Sequence, residues 1–537
     1  MIINDMEKKQ RFFTGRWQKY LLVVLLVLLG LKVYDTFLSG SRKIDVGNHK
    51  WDKLIVILDE IEKNYVDSIN YKDLVEKSLP YIMENLDPHS TYLPPADLEK
   101  ADEQLVGNFS GIGVQFNVPN DTAVIVNVVP GGPSERVGIL SGDRIVKVNG
   151  ENVAGINFPQ DSLIKKLRGQ RGTTVKIDIK RGEEIVPFTV KRDVIPVNSV
   201  DAAFMVNDTL AYVKLSKFTR TSYKEFLERA VPLKGLGMNS LVFDLRENTG
   251  GYFDQALLLA NEFLDKGDLI VYMMGRHRPK QDFYADGTGK LKDVKLYILI
   301  DEGSASSSEI FAGAMQDNDR ATILGRRSYG KGLVQEPVYF NDGSGIRLTV
   351  ARFYSPTGRC IQKPYGSDYQ YDIIERYQHG EMMVADSIKI NDSLRYETPK
   401  GKVVYGGGGI IPDIFVPIDT AGVTKFMIDA NRKSLIVKYS IKLADIYRSQ
   451  LRGVKTVAQL DALLNTMDLE KGYLEYAAAN GVTPAPGEWE KSKFVVITQL
   501  KGLMGRNTQL DDDAFYPYIL KIDNAMYPIV GKPIQRN

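Results

Sequence analysis

Between about Pro196 and Asp419, short apolar runs hand over to helical patterns through turns rich in glycine or serine, and few folds accept that order. "SLVFDLREN" reads as a buried strand, "TGG" as a tight turn and "YFDQALLLANEFLD" as a helix. "KLYILI" is another strand, and "SEIFAGAM" takes up helical spacing from about Ser308. Strands alternating with helices put this region in the α/β class. The second of these turns opens the stretch "DEGSASSSEIFAGAMQDNDRATILGRRSYGKGLVQ", in which serines cluster and a Gly-Lys-Gly turn follows. A serine entering a helix lies near free N–H groups and the positive end of the dipole, which favour negative charge. That place suits an oxyanion. It equally suits an N-cap, since Ser306 and Glu309 form the S-x-x-E capping pattern.

A chain of 537 residues is too long for one core and implies three or four units. Its 69 basic and 67 acidic residues nearly cancel, which excludes a large electrostatic footprint for nucleic acid. Cys360 is the single cysteine, so internal disulfides and Cys-based zinc sites are excluded. The histidines (His49, His89, His277 and His379) are scattered with no H-E-x-x-H pair, so a metalloenzyme is not expected. His89, in "LDPHSTYLPP", reads as a turn residue.

Lys8, Lys9, Arg11, Arg16 and Lys19 precede the apolar run "YLLVVLLVLLGL". A spanning helix wants about 20 apolar residues, and continuing through "KVYDTFL" to Leu38 gives a workable length. "TFLSGSRK" matches a signal-peptide cleavage site poorly. The expectation is a cytoplasmic segment 1–19 and an uncleaved anchor over 20–38. The catalytic part would then be extracytoplasmic (periplasmic), tethered to the cell inner membrane.

Residues 51–100 alternate apolar and charged positions at helical spacing. From about 101 to 195 the texture becomes β-rich, with "FSGIGVQFNV", "AVIVNVVPGGPSERVG" and "DRIVKVNGENV" followed by a helix and two further strands. This pattern resembles a PDZ domain, with "FSGIGV" as its carboxylate-binding loop. Consecutive N–H groups around Gly111 and Gly113 can cradle a terminal carboxylate, and "GVQFNV" can accept a peptide as an added strand. Phe109, Gly111, Ile112, Gly113 and Val114 are thus the expected peptide-binding residues. The tail 420–537 is helical and charged, and no chemical constellation stands out in it.

Lys331 has two readings. Gly325, Gly330 and Lys331 match the front of a phosphate-binding loop, G-x4-G-K. Against it, Gly332 replaces the magnesium-holding Ser or Thr, and "LVQEPVYF" looks like a strand where a helix is required. The other reading makes Lys331 the base for a serine nucleophile, in a chain short of histidine. A free lysine, with a pKa of about 10.4, is almost wholly protonated at neutral pH, so burial must lower it for base catalysis. Alternation along "KGLVQ" puts Lys331, Leu333 and Gln335 on one face, where Gln335 can orient the amine.

"GSASSSEIFAGAMQD", "GRRSYGKGLVQ", "DLRENTGG", "VARFYSPTGRCIQ" and "GIIPDIFV" occur in an order that resembles the carboxyl-terminal processing (tail-specific) proteases. That resemblance implies a Ser-Lys serine peptidase with a crotonase/ClpP-like α/β core at 196–419 and a PDZ domain inserted ahead of it. It implies Ser306 as nucleophile, Lys331 as base and Gln335 as the assisting amide, with Gly251 and Ser307 as oxyanion donors and with no metal or organic cofactor. Ser304, Ser307 and Ser308 otherwise read as turn and cap residues. Ser307 stands where the family usually has alanine, and the segment 363–405 is an insertion. The family also implies that the PDZ module gates the active site. Arg168, at the end of "SLIKKLRG", is the gating candidate, its other reading being a solvated helix-end charge. The expected partners are proteins or peptides with free C-termini, the membrane through the anchor, and a second copy or adaptor through the tail. The alternative function is a PDZ adaptor that binds tails beside an inactive protease domain.

Overall fold

The computed structural model describes residues 19–31, 49–118, 121–366 and 369–531. The chain divides into two units, Met1–Ser78 and Leu79–Asn537. In the first, a helix covers residues 19–31 and another spans Asp52–Asn64. The expected anchor is corrected here. Among the described residues no helix is long and apolar enough to cross a membrane. The inner-membrane placement, the transmembrane assignment and the membrane as partner fall with it. Residues 1–18 and 32–38 lie outside the described residues.

The second unit is built on a six-stranded sheet. Its strands run Val200–Met205, Leu210–Leu215, Ser240–Asp244, Lys295–Ile300, Ala321–Gly325 and Ile414–Phe415, all parallel after the first pair. Alternate residues serve opposite faces, as the two-residue period of a strand requires. Leu241, Phe243, Ile298 and Ile300 join one core, with Phe226, Leu259 and Phe311 from the helices Ser222–Gly235, Phe253–Asn261 and Ser307–Asp317. Tyr212, Val242, Leu299 and Leu324 join the other, which Leu520, Ala525 and Met526 close from the C-terminal tail. The tail therefore covers one face of the central sheet. Ion pairs fasten it there, Arg246 to Asp523 at 2.6 Å and Arg229 to Asp513 at 2.5 Å. The rest of the tail folds on a separate core of helices that includes Phe426, Tyr473 and Val496.

A second sheet pairs Gly345–Tyr354 with Thr91–Leu93, Leu269–Gly275 and Leu333–Tyr339. The β-rich module has its own core around Ile145, Ile177 and Val190, and its strand Val114–Asn117 stands at the edge of its sheet. The chain enters and leaves this module through paired strands, Asn108–Gly111 against Asp193–Pro196. That edge leaves backbone groups open to a further strand.

Candidate active site

Ser306 joins the strand Lys295–Ile300 to the helix Ser307–Asp317 and holds φ 55° and ψ −113°. An ordinary N-cap residue is extended instead. A non-glycine residue held in a sparsely populated region costs about 1–3 kcal/mol and persists only where the surroundings fix it. Here three neighbouring serines do so. Ser304 Oγ donates to the Leu245 carbonyl at 2.8 Å, Ser308 Oγ to that of Asn248 at 2.8 Å, and Ser307 Oγ to that of Gly251 at 3.0 Å. These residues are more than turn and cap formers: they sew the serine turn to the 245–252 loop. The Ser307 hydroxyl, of no expected use in sequence, holds Gly251 in place.

Glycine is required on the other side of that seam. A Cβ on Gly250 would stand 2.7 Å from Ser306 Cβ, and one on Gly251 would stand 2.0 Å from the Phe218 carbonyl oxygen. Gly250 and Gly251 also hold φ 93° and 150°. Only glycine lets this loop press against the serine turn.

Glu309 was visible in the sequence only as a capping partner. Its fully buried carboxylate accepts from the N–H of Ser306 at 2.9 Å, of Lys331 at 2.9 Å and of Gly330 at 2.7 Å, and from Ser328 Oγ at 2.5 Å. Burial pushes this carboxyl up, against the pull of those four donors. One side chain thus holds both the serine turn and the lysine loop.

Lys331 Nζ donates to Gln335 Oε1 at 2.9 Å. The Gln335 amide is oriented from behind, because its Nε2 donates to the His89 carbonyl at 2.7 Å. His89 is a turn residue, as expected, but its backbone also turns the amide oxygen toward the amine. Strict alternation fails here: the pairing with Gly345–Tyr354 shifts between Val334 and Gln335, and Leu333, Val334 and Gln335 all line the cleft. Burial, then the nearby Arg347 guanidinium, lowers the Lys331 amine below the ordinary lysine value. The inserted segment 363–405 reaches the same loop. Arg376 Nη2 donates to the Arg327 carbonyl at 2.6 Å, and Glu381 accepts from both Arg327 and Arg376.

Ser306, Ser307, Gly251, Lys331 and Gln335 line one cleft of about 600 Å³. Among the described residues no hydrogen bond joins Lys331 Nζ to Ser306 Oγ, and the amine rests on Gln335. A serine hydroxyl, a buried amine and two candidate N–H donors in one cleft are the parts that acyl transfer needs. The family model for peptidase family S41 matches residues 209–373, and that for the PDZ domain matches residues 110–191. The chain is 30% identical over 356 residues to the carboxy-terminal processing protease CtpA of Bacillus subtilis, covering 65% of this chain and 76% of that protein. It is 31% identical over 406 residues to a probable CtpA-like serine protease of Staphylococcus haemolyticus, covering 73% and 80%. The chain belongs to the S41 family of carboxy-terminal processing proteases. It is a serine-type peptidase with a PDZ domain. Among solved structures it is similar to a photosystem II D1 C-terminal processing protease, with 23% identity and a TM-score of 0.37 over 73% of this chain and 92% of that one.

The PDZ residues singled out in sequence lie together in this S41 chain. Gly111, Ile112 and Gly113 are buried, and among the described residues the N–H groups of Ile112 and Gly113 donate no hydrogen bond. Buried backbone donors are rarely left so. The Phe109 ring lies against the Arg168 guanidinium, 4.1 Å from its centroid, and Arg168 Nη1 stands 3.5 Å from Glu103 Oε2. Arg168 is part-exposed, yet it is more than a solvated helix end.

Proposed function

We propose that this peptidase engages protein C-termini through its PDZ domain and cuts the polypeptide with Ser306 as nucleophile and Lys331 as general base, in a crotonase/ClpP-like core. The observation that carries this reading is the meeting of Ser306, Lys331, Gln335, Gly251 and Ser307 in one cleft, with the lysine amine on Gln335. Ser306 Oγ attacks the scissile carbonyl carbon as its proton passes to Lys331 Nζ. The N–H groups of Gly251 and Ser307 receive the developing oxyanion, each worth about 3–4 kcal/mol. The lysine ammonium then protonates the leaving amine, and the neutral amine activates the water that releases the acyl group. Gln335 orients the amine as a neutral acceptor, without raising its pKa as a carboxylate would. The N–H groups of Ile112 and Gly113 receive the substrate's terminal carboxylate, and its tail pairs with the edge strand Val114–Asn117.

In this reading the protease core spans 196–419, the PDZ domain 101–195 and the helical extension 420–537. Arg168 carries occupancy of the PDZ loop toward the cleft. It touches Phe109 on one side and Glu103 on the other, and Glu103 belongs to the helix Pro95–Val106, whose Ala101, Asp102 and Leu105 line the cleft. Such a relay works only if peptide binds the open state better than the closed one.

The test is a kinetic comparison of one peptide as free acid and as C-terminal amide. The amide is expected to lower kcat/KM by about tenfold or more, the loss of a charge-assisted contact set. Equal values would remove the carboxylate from the mechanism, and no cleavage of either peptide would favour an adaptor. A Gly113→Asp variant is a poorer probe, because Gly113 holds φ 75° and a Cβ there would meet Ile195 Cδ1 at 3.0 Å.

The base assignment has its own signature in pH. A general base must be neutral, so activity rises with pH through its pKa. Arg347 lowers that pKa, so Arg347→Gln raises it and moves the rising limb of the kcat/KM profile to more alkaline pH. A limb that stays in place, measured against pH in both proteins, removes Lys331 as the titrating group.

A further inference from the structure

Lys217 lies just beyond the strand Leu210–Leu215 and just before Phe218, whose backbone pairs with that of Gly250 and Tyr252. Its side chain lines the same cleft as Ser306. Among the described residues its ammonium makes no hydrogen bond and no ion pair. Arg347, on the strand Gly345–Tyr354, lines the cleft as well, with Nη2 3.2 Å from Asp102 Oδ1. Asp102 is therefore engaged. The cleft's other carboxylate, Asp254, sits at the exposed start of the helix Phe253–Asn261 with Gln255 Nε2 at 3.5 Å. Burial, and then the neighbouring Arg347, lowers the Lys217 amine below its ordinary value. A part-buried cation beside a like charge, with no counter-ion, is a group that an incoming anion relieves. A molecule with no use for such a charge would more economically place a neutral side chain there.

We propose that Lys217 and Arg347 form an anion subsite of the cleft that selects a carboxylate of the bound peptide near the scissile bond. The ligand is a carboxylate in either of two settings, the side chain of a Glu or Asp residue or the peptide's own C-terminus when the tail is short. The subsite rests on the reading of this cleft as the place of cleavage. It is distinct from the PDZ loop, where N–H groups rather than cations meet the carboxylate.

The probe is a set of fluorogenic peptides in which Glu or Gln is placed in turn at each position around the scissile bond, every peptide made as free acid and as amide. At one position Glu is expected to raise kcat/KM about tenfold over Gln, in the amidated set as well. Lys217→Gln should bring that ratio to about one, Lys217→Glu should turn the preference toward a lysine at the same position, and Lys217→Arg should retain it. A gain confined to free-acid peptides whose terminus falls at that position, and lost in Lys217→Gln, assigns the subsite to the chain end. No Glu preference anywhere with no such terminal gain, or a preference unchanged in Lys217→Gln, overturns the subsite. Because the readout is a ratio within one enzyme, it is separate from the nucleophile test. Cleavage that survives in Ser306→Ala would overturn the catalytic reading and leave the Lys217 ratio to be judged alone.

Discussion

Ser306→Ala and Lys331→Met are each expected to lower kcat/KM by about 10⁴-fold or more, the scale seen when a nucleophile or its base is removed from a catalytic unit. Neither change should unfold the protein. Alanine keeps the Ser306 backbone, which the N–H bond to Glu309 holds at its positive φ, and removes only the hydroxyl of a residue that lines the cleft. Methionine keeps the length of Lys331 without its charge, and burial already disfavours that charge. The double variant should lose little more than either single one, because the two act on one proton. Steady-state hydrolysis of a reporter peptide, beside a thermal unfolding curve for each variant, checks all three statements. Substantial hydrolysis by folded Lys331→Met would hand the base role to another group, and His89 is a poor candidate. Burial, the first cause of its lowered pKa and one that outlasts the Lys331 charge, still holds its imidazole below the ordinary histidine value.

What could be read in the sequence was local, and what could not was reached across long chain separations. Strand, turn and helix around Ser306 follow from apolar spacing, and the Ser306–Lys331–Gln335 set follows from a resemblance carried by short motifs. The structure brings that set into one cleft. The bonds that hold it there have no signature of their own. Ser304, Ser307 and Ser308 donate to backbone carbonyls more than fifty residues away, and any residue type carries a carbonyl. The His89 carbonyl on Gln335 is hidden for the same reason. The shift in pairing at Val334 breaks a two-residue pattern that the sequence obeys on paper. Leu520, Ala525 and Met526 lie in a tail where no constellation stood out, and only the second face of the central sheet explains where they go. The anchor was read from an apolar run and its basic flank, whereas among the described residues no helix is long and apolar enough to cross a membrane. Lys217 lay outside every motif.

Glu309→Gln is expected to lower kcat by about 10²-fold while changing KM much less, because it moves reacting groups rather than removing substrate contacts. The charge count explains why so small a change matters. Glu309 Oε1 accepts from Ser328 Oγ and the Gly330 N–H, and Oε2 accepts from the N–H groups of Ser306 and Lys331. All four partners are donors, since Ser328 Oγ itself accepts from the Ile410 N–H at 2.6 Å. A glutamine side chain has one oxygen, so its NH₂ must face a pair of donors in either orientation. If it faces Ser306 and Lys331, the serine turn and the lysine loop lose their shared acceptor. If it faces Ser328 and Gly330, the lysine loop is loosened from its other end. Leaving buried donors unmet costs about 1–3 kcal/mol each, so a lower melting temperature should accompany the kinetic loss. Ser306 also needs its N–H bond to stay at φ 55°, and without it the turn can relax toward the extended conformation of a plain cap. Glu309→Asp offers the contrast: it restores two acceptor oxygens on a shorter stem, and should recover part of kcat if placement of the two loops is what was lost. A Glu309→Gln protein with unchanged kcat would mean that the seam through Glu309 does not set the distance between Ser306 and Lys331.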